Sequence, residues 1–250
     1  MVTRLVPLEC GWLGSDLAGL MEGGTGRVDM PIPSWLVLHE RGTLLFDTGL
    51  HRQLQTDTSR IGSLAAGFEV DFSPGQELSA RLEQVEVDPT AVDVVVFSHL
   101  HFDHCGGTEL VPEARLVVQR AEWEAGHHPK LIAHDVYNPD DFDLGHEVQL
   151  IDGQHDVFGD GTVVCLPTPG HTAGHQSLRV ELGSGPVVLT GDCVYFRRQL
   201  DEMRTPPFGA DVALQRQSMR MLAGLEADGA RLLFGHDAQQ WRSLPAGGLT

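Results

Sequence analysis

The chain has 250 residues and 41% hydrophobic content, enough for one large buried core. Its 17 basic and 35 acidic residues give a formal charge of −18. That argues against a nucleic-acid partner, which Lys and Arg would have to neutralise; a neutral small molecule or an acyl chain meets no such penalty.

No apolar stretch approaches the roughly 20 residues needed to span a bilayer, and Met1-Val2-Thr3-Arg4-Leu5 opens no signal-peptide hydrophobic region, so no membrane partner is expected and the cytoplasm is the expected location. Residues 10–33 are rich in Gly, Met and Pro and read as irregular. Strands are expected at 35–39 and 43–47, around a Glu40-Arg41-Gly42 turn. Residues 51–72 have weak periodicity and read as loop with some helix, and a helix is expected over 75–84, with Leu78, Leu82 and Val85 at helical spacing. A β-branched strand at 92–98 comes next, then a short strand at 116–118 and a short helix at 121–125. The polar stretch 126–147, with four histidines and several aspartates, reads as an excursion or lid rather than core.

Strands resume at 148–151, 163–166, 177–182 and 187–190. Asp211 is the expected N-cap of a helix to Ala227 with Leu214, Met221, Leu222 and Leu225 on one face, and 232–234 is the last strand. Strands come in runs with helices between the runs, which predicts two sheets packed face to face with helices outside, in a single domain over 1–250. Cys10, Cys105, Cys165 and Cys193 form no C-x-x-C pair and are expected to be reduced thiols in the core.

The run Ser98-His99-Leu100-His101-Phe102-Asp103-His104-Cys105-Gly106-Gly107 carries the chemistry. In an extended segment alternate side chains share a face, so His99 and His101 can reach one ion together, while Asp103 and His104, past the turn, can face a second point. Imidazole with carboxylate suits zinc, and also iron, manganese or cobalt. Three more strands end in a candidate ligand: His171 after 163–167, Asp192 after 187–191 and His236 after 232–235. Singly each is a weak signal; together they supply about what two metal ions need.

The ordered set His99-x-His101-x-Asp103-His104, His171, Asp192 and His236 resembles the metallo-β-lactamase superfamily, and Leu45-Phe46-Asp47-Thr48-Gly49 fits the strand and turn that open that fold. The resemblance implies an α/β chain folded as a four-layer αββα sandwich. It further implies that His99, His101 and His171 bind one divalent ion, that Asp103, His104 and His236 bind the other, and that Asp192 bridges them. Two divalent ions per chain are the implied cofactors, with zinc expected.

RNA-processing members carry basic arms that this acidic chain lacks, and a redox diiron member would want Glu where His101 stands. Thr168-Pro169-Gly170-His171-Thr172-Ala173-Gly174-His175-Gln176-Ser177-Leu178, Phe234-Gly235-His236-Asp237 and Asp192-Cys193-Val194-Tyr195 are most similar to the N-acyl-homoserine lactonase group, which carries a tyrosine three residues after the bridging Asp. The implied reaction is opening of an N-acyl-homoserine lactone, the degradation of a quorum-sensing signal. By that resemblance, two ions about 3.5–4 Å apart would supply a hydroxide for attack on the carbonyl. Tyr195 is then expected to donate to the oxyanion and Asp103 to pass a proton to the leaving alkoxide. Residues 10–33, 51–72 and 126–147 match no pattern of the group, so a pyridoxolactone-like ring or a glyoxalase II-like thioester stand as alternative substrates.

His175 is expected to brace the His171 loop, and Asp47 to hydrogen-bond backbone beneath the site. His127, His128, His134, His146 and His155 are expected to have no ligand role. A homodimer is compatible with the sequence.

Overall fold

The computed structural model describes residues 1–245 and 247–250, and in it two mixed β-sheets stack face to face. The larger is built from β1 (Val2–Asp16), β2 (Arg27–His39), β3 (Gly42–Phe46), β4 (Glu69–Asp71), β5 (Val94–Val96), β6 (Arg115–Gln119) and β7 (Val148–Ile151), in the order β4-β1-β2-β3-β5-β6-β7. The smaller is built from β8 (His155–Asp156), β9 (Val163–Pro167), β10 (Gln176–Leu182), β11 (Gly185–Leu189) and β12 (Arg231–Leu233), in the order β12-β11-β10-β9-β8.

Strand periodicity explains the layering. Successive side chains point to opposite faces, so Leu44, Phe46, Val94 and Val96 face inward and meet Val163, Cys165, Val187 and Leu189 of the other sheet. Their neighbours Leu45, Val95 and Phe97 face outward, under Leu78 and Leu82 of the helix Leu78–Gln84. Val164, Val188 and Leu232 face the opposite exterior, under Met219 and Leu222 of the helix Val212–Ala227. The result is helix, sheet, sheet, helix. Both faces of the central strands are covered, which is why they read as continuous apolar runs rather than as alternating ones. Truncating an inward leucine such as Leu178 costs about 2–5 kcal/mol.

The structure departs from the sequence reading where local composition misleads. Residues 10–33 are not irregular: they fall largely in β1 and β2, a long antiparallel pair. The pair tolerates its glycine and prolines through a bulge, in which Cys10 and Gly11 together oppose Ile32, with Gly11 at φ 104°. The part of β2 holding Pro31 and Pro33 lies beyond its pairing with β3, so it is an edge on that side, where proline is tolerated.

The strand expected over 92–98 is ladder-paired only at Val94–Val96, and the helix expected from 75 begins at Leu78. Segment 51–72 holds two 3-10 stretches, Arg52–Gln55 and Thr58–Ala66, and then β4. Segment 126–147 is not only a lid, because Tyr137 and Phe142 are buried in the outer core. The buried stripe of the helix Val212–Ala227 is Gln215, Ser218, Met219 and Leu222, while Met221 faces solvent. All four cysteines are buried free thiols, and burial pushes Cys10 and Cys165 up to about 12. Among the described residues no helix is long and apolar enough to cross a membrane.

Candidate metal centre

β3 and β5 run parallel, as do β11 and β12, and β9 runs in the direction of β11 through two antiparallel steps. The carboxyl ends of these strands therefore share one edge of the sandwich, and each end delivers a polar side chain there: Asp47 after β3, His99 after β5, His171 after β9, Asp192 after β11 and His236 after β12. After β5 the chain bends at Ser98, His101 is extended at ψ 158°, and a single helical turn follows, Phe102–Cys105. The helical turn begins between the two pairs, so His99 and His101 face one point and Asp103 and His104 another.

His101 Nδ1 lies 3.0 Å from His99 Nε2 and 3.1 Å from His171 Nε2, so three ring nitrogens converge. A second cluster holds His104 Nε2, His236 Nε2 and the Asp103 carboxylate, with Asp103 Oδ2 at 3.4 Å from His104 Nε2 and 3.8 Å from His236 Nε2. Asp192 stands between the two. Its Oδ2 lies 3.4 Å from His171 Nε2 and 3.8 Å from His99 Nε2; its Oδ1 lies 3.0 Å from His236 Nε2 and 3.2 Å from His104 Nε2. All seven side chains named at the sequence level thus meet: His99, His101 and His171, and Asp103, His104 and His236, each have the spacing of a metal-ligand set, and Asp192 closes a third such set with His99 and His104, one histidine from each. No such group contains His127, His128, His134, His146 or His155 among the described residues.

The donor set fits cations. His104 Nε2 and Asp192 Oδ1 are buried with no hydrogen-bond partner, an arrangement that is costly unless a further group satisfies them. Burial, reinforced by neighbouring imidazoles, holds His99 and His171 well below the usual histidine range and brings His101 down to about 4, which keeps their lone pairs available. His104 and His236 move the other way: burial opposes the proton, but the carboxylates of Asp192 and Asp103 outweigh it. Asp192 is the counterpart, as burial would raise it and His104 and His236 hold it well below the carboxylate range. Two buried carboxylates among five imidazoles therefore call for positive charge at this point.

The remaining ring nitrogens of His104 and His236 are anchored, which fixes how these two rings present Nε2. His104 Nδ1 lies 2.8 Å from Asp47 Oδ2, and His236 Nδ1 donates to the Pro31 carbonyl at 2.9 Å. Asp47 adopts φ 63° and accepts the Ser98 N–H at 2.6 Å and the Ser98 hydroxyl at 2.7 Å, so it sits beneath the site as an organiser. His175 takes the Asp192 N–H on Nε2 at 3.0 Å, while its Nδ1 meets Thr168 Oγ1 at 2.8 Å; it braces the Asp192 turn as well as the His171 loop.

Sequence reasoning missed three further supports. Gln215 donates to the Asp192 carbonyl, Gln199 accepts the Tyr195 N–H, and Glu122 accepts from Leu100 and Gly174 on the two histidine loops. Each lies on a helix where a lone polar residue looks like a solvated position, and only tertiary packing reveals the partner.

Tyr195 is buried, with its hydroxyl 3.5 Å from His171 Nδ1 and its ring 5.3 Å from that of His236. Burial and the nearby carboxylates push the phenol well above its ordinary pKa, so it keeps its proton and remains a donor. A cavity of about 350 Å³ opens onto the centre. His101, Asp103, His171, Asp192, Tyr195 and His236 form its polar end; Leu20, Met30, Leu64, Phe68, Phe102, Leu131, Val136 and Phe208 line the rest, and neither Lys nor Arg is among its lining residues.

Comparison with known proteins agrees with this geometry. Residues 27–236 match the metallo-beta-lactamase superfamily. The chain is 34% identical to the N-acyl homoserine lactonase AttM of Azorhizobium caulinodans, over 96% of this chain and 95% of that protein. It is 30% identical to the N-acyl homoserine lactonase AiiA of Bacillus thuringiensis subsp. kurstaki, over 86% and 85%. A solved N-acyl homoserine lactone hydrolase, with the product N-hexanoyl-L-homoserine at its catalytic metal centre, superposes with a TM-score of 0.88 at 26% identity, covering 98% of this chain and 97% of that one. From its strand order, its paired ligand clusters and these likenesses, the chain belongs to the metallo-beta-lactamase superfamily, in its N-acyl homoserine lactonase family.

Proposed function

We propose that this chain is a metal-dependent hydrolase that opens the ring of N-acyl-homoserine lactones. The observation that carries the reading is the junction of an apolar cavity with a cluster of buried ligands and one protonated tyrosine. A neutral lactone bearing a hydrocarbon tail matches both ends of that cavity: the tail removes apolar wall from water, and the ester carbonyl reaches the polar end.

His99, His101 and His171 would hold one divalent ion and Asp103, His104 and His236 the other, with Asp192 shared. When bound, such ions polarise an ester carbonyl and lower the pKa of water enough for attack near neutral pH. Zinc is the proposed metal, since imidazole and carboxylate donors suit it, although iron, manganese and cobalt accept the same set.

The protein's own groups do the rest. Tyr195 donates its phenolic proton as a hydrogen bond to the carbonyl oxygen while that oxygen gains negative charge. The acyl C–O bond of the ring breaks, water supplies the new oxygen on the acyl carbon, and the proton it gives up passes by way of the Asp103 carboxylate to the departing ring oxygen. The product is an open-chain acid with a free hydroxyl. Leu64, Phe68 and Phe102 hold the tail and exclude bulk water.

The test is a pH-stat assay with N-hexanoyl-homoserine lactone, run beside a thioester such as S-lactoylglutathione, using metal-loaded protein. Acid release from the lactone at least comparable with that from the thioester supports the reading. Thioester cleavage with an inert lactone would move the chain to the thioesterase class.

A further inference from the structure

Glu122 sits in the first turn of the helix Arg120–Gly126 and is fully buried, yet belongs to neither ligand cluster. Its Oε1 accepts the Leu100 N–H at 3.1 Å and the Tyr137 hydroxyl at 3.0 Å, and its Oε2 accepts the Gly174 N–H at 3.0 Å. Leu100 lies between His99 and His101. Gly174 lies three residues after His171, and a Cβ added there would come within 2.2 Å of Glu122 N, so only glycine lets this loop approach so closely. The Tyr137 ring stands 5.4 Å from that of His101 on the cavity wall.

Among the described residues no cation is a hydrogen-bond partner of this carboxylate; backbone and hydroxyl donors alone meet it. An amide in its place cannot satisfy the same partners. With its NH2 toward Gly174 it faces an N–H; turned over, it faces the Leu100 N–H and loses its acceptor for Tyr137. The cost falls on one side of the centre, because the supports of the other cluster come from elsewhere: Asp47 holds His104 and the Pro31 carbonyl holds His236.

We infer that Glu122 is a positioning residue: it sets the spacing between the His99–His101 loop and the His171 loop, and so forms the three-nitrogen half of the metal centre, while orienting Tyr137 on the pocket wall. The inference rests on the metal-centre reading above but not on the identity of the substrate.

The experiment is a cobalt(II) titration of metal-free protein, followed by visible absorption and by elemental analysis of the bound ion. The wild type is compared with Glu122→Gln, and with His171→Ala and His236→Ala as references in which one cluster or the other is broken. Glu122→Gln is expected to weaken one binding event by about 10- to 100-fold, as loss of an outer-shell partner does, to leave the other unchanged, and to give a residual spectrum like that of His171→Ala. Equal weakening of both events, no weakening of either, or a residual spectrum like that of His236→Ala overturns the inference. If Glu122→Gln does not fold, Glu122→Asp keeps the charge, withdraws the acceptors and must show the same one-sided loss. A wild type that binds cobalt at both sites but opens no lactone would overturn the lactonase reading and leave this inference standing.

Discussion

The hydroxyl of Tyr195 lies 3.5 Å from Nδ1 of His171, whose Nε2 points into the three-nitrogen cluster. The phenol thus stands beside the centre, against the outward nitrogen of one of its rings. Its removal should affect turnover while leaving metal content intact. Tyr195→Phe is expected to lower kcat by about 100- to 1,000-fold, the range seen when an oxyanion donor is lost, with the bound metal per chain unchanged by elemental analysis. Unchanged turnover would remove Tyr195 from the mechanism.

Asp47 governs the other half of the centre. Its carboxylate fixes His104 through Nδ1, so Asp47→Asn would set amide donors against that ring. Asparagine also tolerates the left-handed φ of 63° at this position, so the substitution probes the hydrogen bond rather than the backbone. Metal affinity at the Asp103, His104 and His236 cluster should fall by about 10- to 100-fold. Competition with a chromophoric chelator measures it, and an unaltered affinity for both ions would contradict the assignment.

Arg60 joins two segments that wall the cavity. Its guanidinium donates to Asp141 Oδ1 at 3.0 Å through Nε and to the Asp140 carbonyl at 3.3 Å through Nη2, while Ser63 N–H donates to Asp135 at 2.8 Å. These bonds tie the stretch carrying Leu64 to the stretch carrying Leu131 and Val136. Arg60→Ala strands a buried carboxylate and should cost about 3–5 kcal/mol of stability. It should also raise KM for long-chain lactones more than it lowers kcat, read by steady-state kinetics over a series of acyl lengths. A parallel fall in kcat at unchanged KM would place Arg60 in the chemistry instead.

The same pair gives a pH prediction. Burial raises the Asp141 carboxyl above its ordinary value, with Arg60 pulling it back, and without Arg60 the raised value climbs further. A carboxyl whose folded pKa is raised contributes stability below its unfolded pKa, and that contribution is lost as pH rises through the folded pKa. The deficit in Tm of metal-free Arg60→Ala against metal-free wild type should therefore be largest near neutral pH and shrink as pH falls through the Asp141 pKa toward the ordinary carboxylate range. A deficit that grows on acidification would contradict the burial of Asp141.

How much of this could be read from sequence depended on how local each signal was. Four of the seven clustered side chains occur within His99 to His104, and each of the other three follows an apolar strand directly, so the cluster announces itself once strand ends are found. The central strands were legible because both of their faces are buried. β1 and the first half of β2 were not, because Gly11, Pro31 and Pro33 resemble loop composition until the bulge and the free edge explain them, whereas the half of β2 over 35–39 was. Glu122 and Gln215 were invisible for a different reason: each works through backbone atoms distant in the chain, and no local pattern marks a helix position as buried against a loop. Met221 shows the converse, an apolar residue at a plausible core spacing that packing leaves exposed.

Two clusters of imidazole and carboxylate are proposed to make this chain a metal-dependent lactonase, so removing and restoring the metal should switch the activity off and on. Protein stripped by a chelator and then reconstituted with zinc is assayed in a pH-stat with N-hexanoyl-homoserine lactone, with bound zinc counted in parallel. The expected result is acid release that is absent from the stripped protein and returns as both sites fill. Equal acid release without metal, or none from protein carrying both ions, would contradict it.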